Sequence, residues 1–212
     1  MRVLSGIQPS GKLHIGNYFG AMRQHLQLQA EHSCFYFIAD YHALNTVRDP
    51  KLLQSYINEV AASWLACGLD PKKTLIYKQS SVPQTFELST ILMAFTAKGL
   101  MNRAHSYKSA VSENLQKKKD QDFGINMGLY TYPVLMAADI LLFDTDVVPV
   151  GMDQKQHVEM AIDIAQVFNH TYKGNLITIP EPVINEITQS VIGIDGRKMS
   201  KSYNNTIPLF LT

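Results

Sequence analysis

Short apolar runs bounded by turn residues alternate along this chain with longer stretches whose apolar positions recur at helical spacing. That alternation predicts a βαβ protein, an α/β fold built on a parallel sheet. The first strand, Val3 to Ile7, runs into the turn-rich Gln8-Pro9-Ser10-Gly11, and a helical stretch follows from Ile15 to Gln29. A second buried strand is expected over Cys34 to Ala39, ending at Asp40. From Leu52 to Leu65 the apolar positions Leu52, Leu53, Ile57, Val60, Ala61, Trp64 and Leu65 predict a helix packed on the sheet, stopped by Gly68 and Pro71. Thr74 to Tyr77 reads as a third strand and Phe86 to Phe95 as a helix. Tyr130 to Phe143 reads as an apolar helix, Val147 to Val150 as a short strand, and Asp153 to Phe168 as another helix. Further short strands are expected at Leu176 to Ile179 and Ser190 to Ile194, ahead of a polar loop from Asp195 to Asn205. Between Arg103 and Asp122 apolar residues thin out and Lys108, Lys117, Lys118 and Lys119 appear, which predicts a mobile, partly basic insertion.

Composition narrows the classes. With 46% hydrophobic and 17% charged residues in 212, the chain has a core to bury and is neither disordered nor a charged tail. A net charge of +1 gives no global basic field, so a polyanionic partner has to be met by a local patch. The two cysteines, Cys34 and Cys67, have neither metal-ligand spacing nor a disulfide framework, so a reducing, cytoplasmic setting is expected and no metal site. No apolar stretch approaches the roughly 18 residues that a membrane span needs.

Two segments carry candidate chemistry. The turn from Gly6 to Asn17 is dense in glycine and polar groups and sits between a strand and a helix, where nucleotides meet α/β sheets. Gly6 to Lys12 fits the first positions of a P-loop, but Leu13 stands where Ser or Thr must hold magnesium, which demotes that motif. His14, Gly16 and Asn17 offer an imidazole, a position without a side chain and an amide at a helix start, suited to adenine and phosphate. Near the other end, Arg197-Lys198-Met199-Ser200-Lys201-Ser202 sets two lysines three apart in a loop, as donors for a leaving polyphosphate. A basic surface loop remains the plain alternative.

Together, His14-Ile15-Gly16-Asn17 and Lys198-Met199-Ser200-Lys201-Ser202 resemble the two signatures of class I aminoacyl-tRNA synthetases. Ser5 to Gly11, Tyr132 to Leu142 and Val148 to His157 are similar to the bacterial tryptophanyl branch of that family, over Val3 to Asn205. The resemblance implies a Rossmann-type, doubly wound catalytic domain over 1–212 with an insertion at 103–122. It also implies a homodimer, ATP accompanied by magnesium, L-tryptophan and tRNA(Trp) as partners, and a C-terminal helical anticodon domain. That last domain is expected to be missing, because the chain stops shortly after the lysine motif. A tyrosyl-tRNA synthetase is the nearest alternative, and a nucleotide-binding kinase or nucleotidyltransferase a more distant one.

By the same resemblance, His14 and Asn17 act at the α-phosphate and Lys198 and Lys201 on the departing pyrophosphate. Gln8, Pro9, Ser10, Gly16, Val191, Met199, Ser200 and Ser202 line the ATP site, and Gly151, Met152 and Asp153 meet its ribose; Asp153 also reads as a plain helix N-cap. Asp139 sits on an apolar helix, where a carboxylate needs a partner. The family assigns it the indole N–H. Met136 and Tyr132, three and seven residues earlier, share its helix face, lining the indole pocket and meeting the substrate's amino end with Gln154. Asp40 and His42 end the second strand; His42 is either a substrate contact or a structural histidine. Three departures stand out: Asn17 replaces the last histidine of the first signature, Met152 stands where many members carry Glu, and Leu4 where an aromatic often packs.

Overall fold

Strand β1 (Arg2–Ile7) lies at the centre of a five-stranded sheet whose order is β3-β2-β1-β4-β5. It pairs in parallel with β2 (Ser33–Ile38) from Arg2 opposite Ser33 to Ile7 opposite Ile38. β2 pairs in parallel with β3 (Thr74–Lys78), and β1 pairs in parallel on its other side with β4 (Val147–Val150) through Val3 and Val147. β5 (Glu181–Ile184) lies beyond β4. Strand order therefore reverses between β1 and β4, which makes the crevice beyond their carboxyl ends the switch point where α/β sheets bind ligands. The computed structural model describes residues 1–184, 191–197, 199–200 and 203–210. The chain divides into two compact units, one of Met1–Ser81, Val147–Asp153 and Pro182–Thr212, the other of Val82–Asp146 and Gln154–Glu181.

In the first unit, α1 (Ile15–Asn17) passes through a π-helical turn (Tyr18–Met22) into α2 (Arg23–Leu28), so the expected helix over Ile15 to Gln29 is one interrupted rod. α3 (Asp40–Ala43) is a single turn at the end of β2. α4 (Pro50–Ala66) starts at Asp49, whose carboxylate accepts the Leu52 N–H at 2.8 Å, and has proline at its first position. Its buried stripe is Ile57, Val60 and Trp64, which join Val3, Ile7, Met22, Cys34, Tyr36 and Ile38 in one core. Leu52 and Leu65, counted into that stripe on spacing alone, point to solvent.

A histidine is built into this core. His25 is 1% exposed and stacks on Tyr36 with ring centroids 4.2 Å apart. Its Nδ1 accepts the Trp64 indole N–H at 3.2 Å, and its carbonyl accepts the Tyr36 hydroxyl at 3.1 Å. Burial pushes its pKa down to about 3, so the ring is neutral.

The second unit is helical. α5 (Gln84–Met93) and α6 (Lys98–Met101) precede α7 (His105–Gln116), and α8 (Met127–Leu141) packs against α5 and α9 (Lys155–Thr171). α8 opens on Asn126, whose side chain accepts the Leu129 N–H, and buries Val134, Ala137, Ala138, Ile140 and Leu141. α7 occupies the segment expected as an insertion; a Lys117–Glu113 ion pair closes its last turn, and none of its residues is buried.

Two strand expectations are corrected. Leu176 to Ile179 forms no strand, because Asn169 takes its backbone: Oδ1 accepts the Leu176 and Ile177 N–H groups, and Nδ2 donates to the Ile177 carbonyl at 2.8 Å. The strand lies instead at Glu181–Ile184. Of Ser190 to Ile194, Ser190 lies outside the described residues and 191–194 form no regular strand. Among the described residues, no helix is long and apolar enough to cross a membrane.

Candidate active site

The site begins where β1 ends. The turn after Ile7 is closed by the Ser10 N–H donating to the Gln8 carbonyl at 2.9 Å, and Gly11 takes a φ of 140°. Gln8 and Ser10 are exposed and Pro9 is buried beneath them. The chain is then pinned from three directions. Glu59 of α4 accepts the Leu13 N–H at 2.7 Å. Asn17 Oδ1 accepts the His14 N–H at 3.0 Å, while the Asn17 N–H returns to the His14 carbonyl at 2.8 Å. An antiparallel bridge joins His14 to Pro208, with the Ile15 N–H on the Ile207 carbonyl at 3.0 Å and the Leu209 N–H on the Leu13 carbonyl at 3.1 Å. His14, 9% exposed, is thereby fixed at the start of α1.

Gly16 shows why this position has no side chain. A Cβ built there would fall 2.8 Å from His14 Nδ1 and 3.5 Å from Met199 Sδ. The imidazole thus occupies the space beside the glycine, and Met199, 6% exposed, closes on it from the second signature. Gly16 of the first signature and Met199 of the second, nearly the whole chain apart in sequence, are neighbours.

The second signature has its own scaffold. The Met199 N–H donates to the Val191 carbonyl at 2.7 Å, and the Gly193 N–H donates to the Arg197 carbonyl at 2.8 Å. Asn205, 1% exposed, accepts the Ser200 N–H on Oδ1 at 2.8 Å and donates from Nδ2 to Asp195 Oδ1 at 2.7 Å. Gly193 must lack a Cβ, since one would sit 2.5 Å from both Asn205 Nδ2 and the Asn205 carbonyl. Asp195 also takes the Arg197 backbone N–H at 3.1 Å and its guanidinium at 2.6 Å. The Asn205 amide first, and then Arg197, hold the Asp195 carboxyl down at about 2. Arg197 in turn covers the Tyr203 ring at 4.5 Å. Lys198, Lys201 and Ser202 lie outside the described residues.

Beyond β4, Gly151, Met152 and Asp153 are exposed, and a Cβ on Gly151 would meet Asp153 Oδ1 at 2.7 Å, so the carboxylate folds back over the glycine. Asp153 is not a helix cap: it sits in a short 3-10 turn, and Gln154 is the residue before α9. His42 is half-buried, and its carbonyl accepts the Gln8 side-chain amide at 3.4 Å. The turn holding it is fixed by two buried groups: Asp40 Oδ1 accepts the Ser80 N–H at 3.0 Å and Gln79 Oε1 the Tyr41 N–H at 3.1 Å.

In the second unit, Tyr132, Met136 and Asp139 fall on one face of α8, with Asp139 only 2% exposed and the other two half-buried. The Tyr132 hydroxyl lies 2.8 Å from each ring nitrogen of His157 and 3.4 Å from Gln154 Oε1. His157 is 3% exposed, and its ring meets the Tyr132 ring edge-on at 4.8 Å.

Each expected site residue that the structure describes falls into one of these groups. Reasoning from sequence missed Glu59, Gln79, Asp195, Asn205 and His157 as supports. Only Asp195 carried a local signal, the Asp-Gly turn whose side chain bonds the backbone two residues on.

The family model for class I tRNA synthetases (W and Y) matches residues 1–211. The chain belongs to the class I tRNA synthetases of the W and Y kind. It is 54% identical over 211 residues to the tryptophan–tRNA ligase of Xanthomonas campestris, covering 99% of this chain and 49% of the relative. It is 52% identical to that of Neisseria meningitidis, covering 63% of that protein. The solved tryptophanyl-tRNA synthetase of Campylobacter jejuni, complexed with ADP and tryptophan, superposes with a TM-score of 0.89 at 50% identity. All of this chain and 64% of that one are covered. The chain thus spans about half to two thirds of the length of these synthetases. The parallel sheet and flanking helices are the Rossmann-like catalytic fold of this synthetase family.

Proposed function

We propose that this chain carries the amino-acid-activating chemistry of a tryptophan–tRNA ligase: L-tryptophan and ATP give tryptophanyl-adenylate and pyrophosphate, and the tryptophanyl group then passes to tRNA(Trp). The observation that carries the reading is the approach of Met199, from the second signature, to Gly16 beside His14. A tryptophan carboxylate oxygen attacks the α-phosphorus, the bond to the bridging oxygen breaks, and pyrophosphate leaves with the electron pair. No protein nucleophile takes part, so the protein's work is positioning and charge stabilisation.

Asn17 illustrates the positioning. Its Oδ1 is held by the His14 N–H, a donor that only an acceptor can satisfy, so on this reading the amide Nδ2 is the end that donates to phosphate. His14 acts beside it at the α-phosphate, and Lys198 and Lys201 act on the pyrophosphate. Gln8, Pro9, Ser10, Gly16, Val191, Met199, Ser200 and Ser202 line the nucleotide, and Gly151, Met152 and Asp153 take the ribose. Magnesium would arrive with the ATP phosphates and offset their charge; among the described residues no group of three or more His, Cys, Asp or Glu could hold a metal ion.

Asp139 is the specificity group. A buried carboxylate is acceptor-only when ionised and matches the indole N–H, which phenylalanine lacks. A site built around such a bond rejects the analogue lacking it by about 10⁴ to 10⁵. Met136 packs on the indole, Tyr132 and Gln154 take the α-ammonium, and His42 lies by the substrate. The same reading makes the protein a cytoplasmic homodimer. The test is exchange of labelled pyrophosphate into ATP with tryptophan, tyrosine or phenylalanine. Exchange with tryptophan alone is expected; exchange with tyrosine would move the assignment to the sister enzyme and strip Asp139 of its role.

A further inference from the structure

We infer that His157 is a positioning residue for the amino end of the substrate, setting which way the Tyr132 hydroxyl presents its proton. The inference rests on the reading of Tyr132 as a contact to the substrate α-ammonium. A phenol has one proton to donate and two lone pairs. An ammonium can only donate, so the phenol oxygen serves it only by accepting, and the phenol proton must go elsewhere.

Among the described residues, Gln154 and His157 stand within reach of that proton. Gln154 Oε1 is at 3.4 Å, long for an O–H···O bond, whereas the His157 ring nitrogens are at 2.8 Å. In the tautomer whose facing nitrogen carries no hydrogen, His157 takes the proton. This turns the Tyr132 lone pairs toward the ammonium and keeps Gln154 Oε1 for the same charge. The support is rigid: His157 is 3% exposed, sits three residues along the chain from Gln154, and holds the Tyr132 ring edge-on at 4.8 Å. A neutral ring with an accepting nitrogen is what this role requires, and a phenylalanine of similar shape would keep the packing while removing the acceptor.

The experiment is equilibrium binding, by calorimetry on the whole chain, of L-tryptophan and of indole-3-propionate, which has the indole and carboxylate but no amino group. His157→Phe is expected to weaken tryptophan roughly tenfold, the scale of one lost hydrogen bond. Indole-3-propionate is expected to bind as it does to the parent chain. His157→Gln, whose amide carbonyl can accept the phenol proton, is expected to restore most of the tryptophan affinity, and in the Tyr132→Phe background His157→Phe should add nothing. Equal weakening of both ligands would overturn the proposal by making His157 a mere wall of the pocket, as would unchanged tryptophan binding in His157→Phe. Tyr132→Phe leaving tryptophan binding unchanged would instead remove the underlying reading of Tyr132, an outcome separate from the failure of His157 alone.

Discussion

His25 makes the stability of the first unit depend on acidity in a way that can be calculated. In the folded chain its pKa is pushed down to about 3 by burial, and its Nδ1 lone pair is occupied by the Trp64 N–H. In the unfolded chain the ring titrates near its ordinary 6.5. Because the folded value is the lower one, the unfolded chain binds the extra proton, so the stabilisation is complete above about pH 6.5 and is lost as the pH falls toward 3. One pH unit is worth about 1.4 kcal/mol, so about 2 kcal/mol should be gone at pH 5. The assay is urea unfolding at pH 7.5 and pH 5.0 of the parent chain and of His25→Asn, whose Oδ1 can still accept from Trp64. The variant is destabilised at both pH values by the space it leaves, but it carries no titrating group. The stability gap between the two proteins should therefore shrink by about 2 kcal/mol at the lower pH. The same gap at both pH values would refute the claim that this ring is held neutral.

Two other substitutions test the proposed nucleotide site. Gly16→Ala should drive its methyl group into the His14 imidazole, and pyrophosphate exchange should fall at least about tenfold with the chain still folded by circular dichroism; full activity would show that His14 has another place to go. Asn205→Ala removes a buried donor to Asp195 and an acceptor for the Ser200 N–H, at a cost to the loop of about 1 to 3 kcal/mol. It should raise the KM for ATP while leaving tryptophan binding unchanged, and a loss of tryptophan binding alone would refute it.

What could be read from the sequence followed burial. β1 and β2 lie inside a parallel sheet, so Val3 to Ile7 and Cys34 to Ile38 are nearly continuous apolar runs and their ends stand out. β5 escaped because Pro182 argues against a strand, yet an edge strand tolerates proline. α7 escaped because none of its residues is buried, so it shows no apolar period. At the site, short contiguous signatures brought out His14, Gly16 and Met199. Their supports were hidden because each acts across a long separation: Glu59 reaches Leu13 from a helix whose pattern reports only its buried stripe. His157 lies close in sequence to Gln154, but its partner Tyr132 is on another helix, and no pattern along either helix announces the pair.

The short antiparallel bridge between His14 and Pro208 has a consequence for how the two signatures find each other. Unconnected, they would be the two ends of a coil nearly as long as the whole chain, and the chance of meeting would be set by that contour. With Ile207 and Leu209 bonded to the residues flanking His14, and Met199 hydrogen-bonded to Val191, Met199 is tethered through chain on both sides of it. The loop-closure entropy of bringing Met199 to the first signature is then that of a short segment, already met during folding. In the language of linked ligands, the first signature sees the second at a local concentration in the millimolar range or above. On the proposed function, a nucleotide would meet Gly16, His14 and Met199 already side by side.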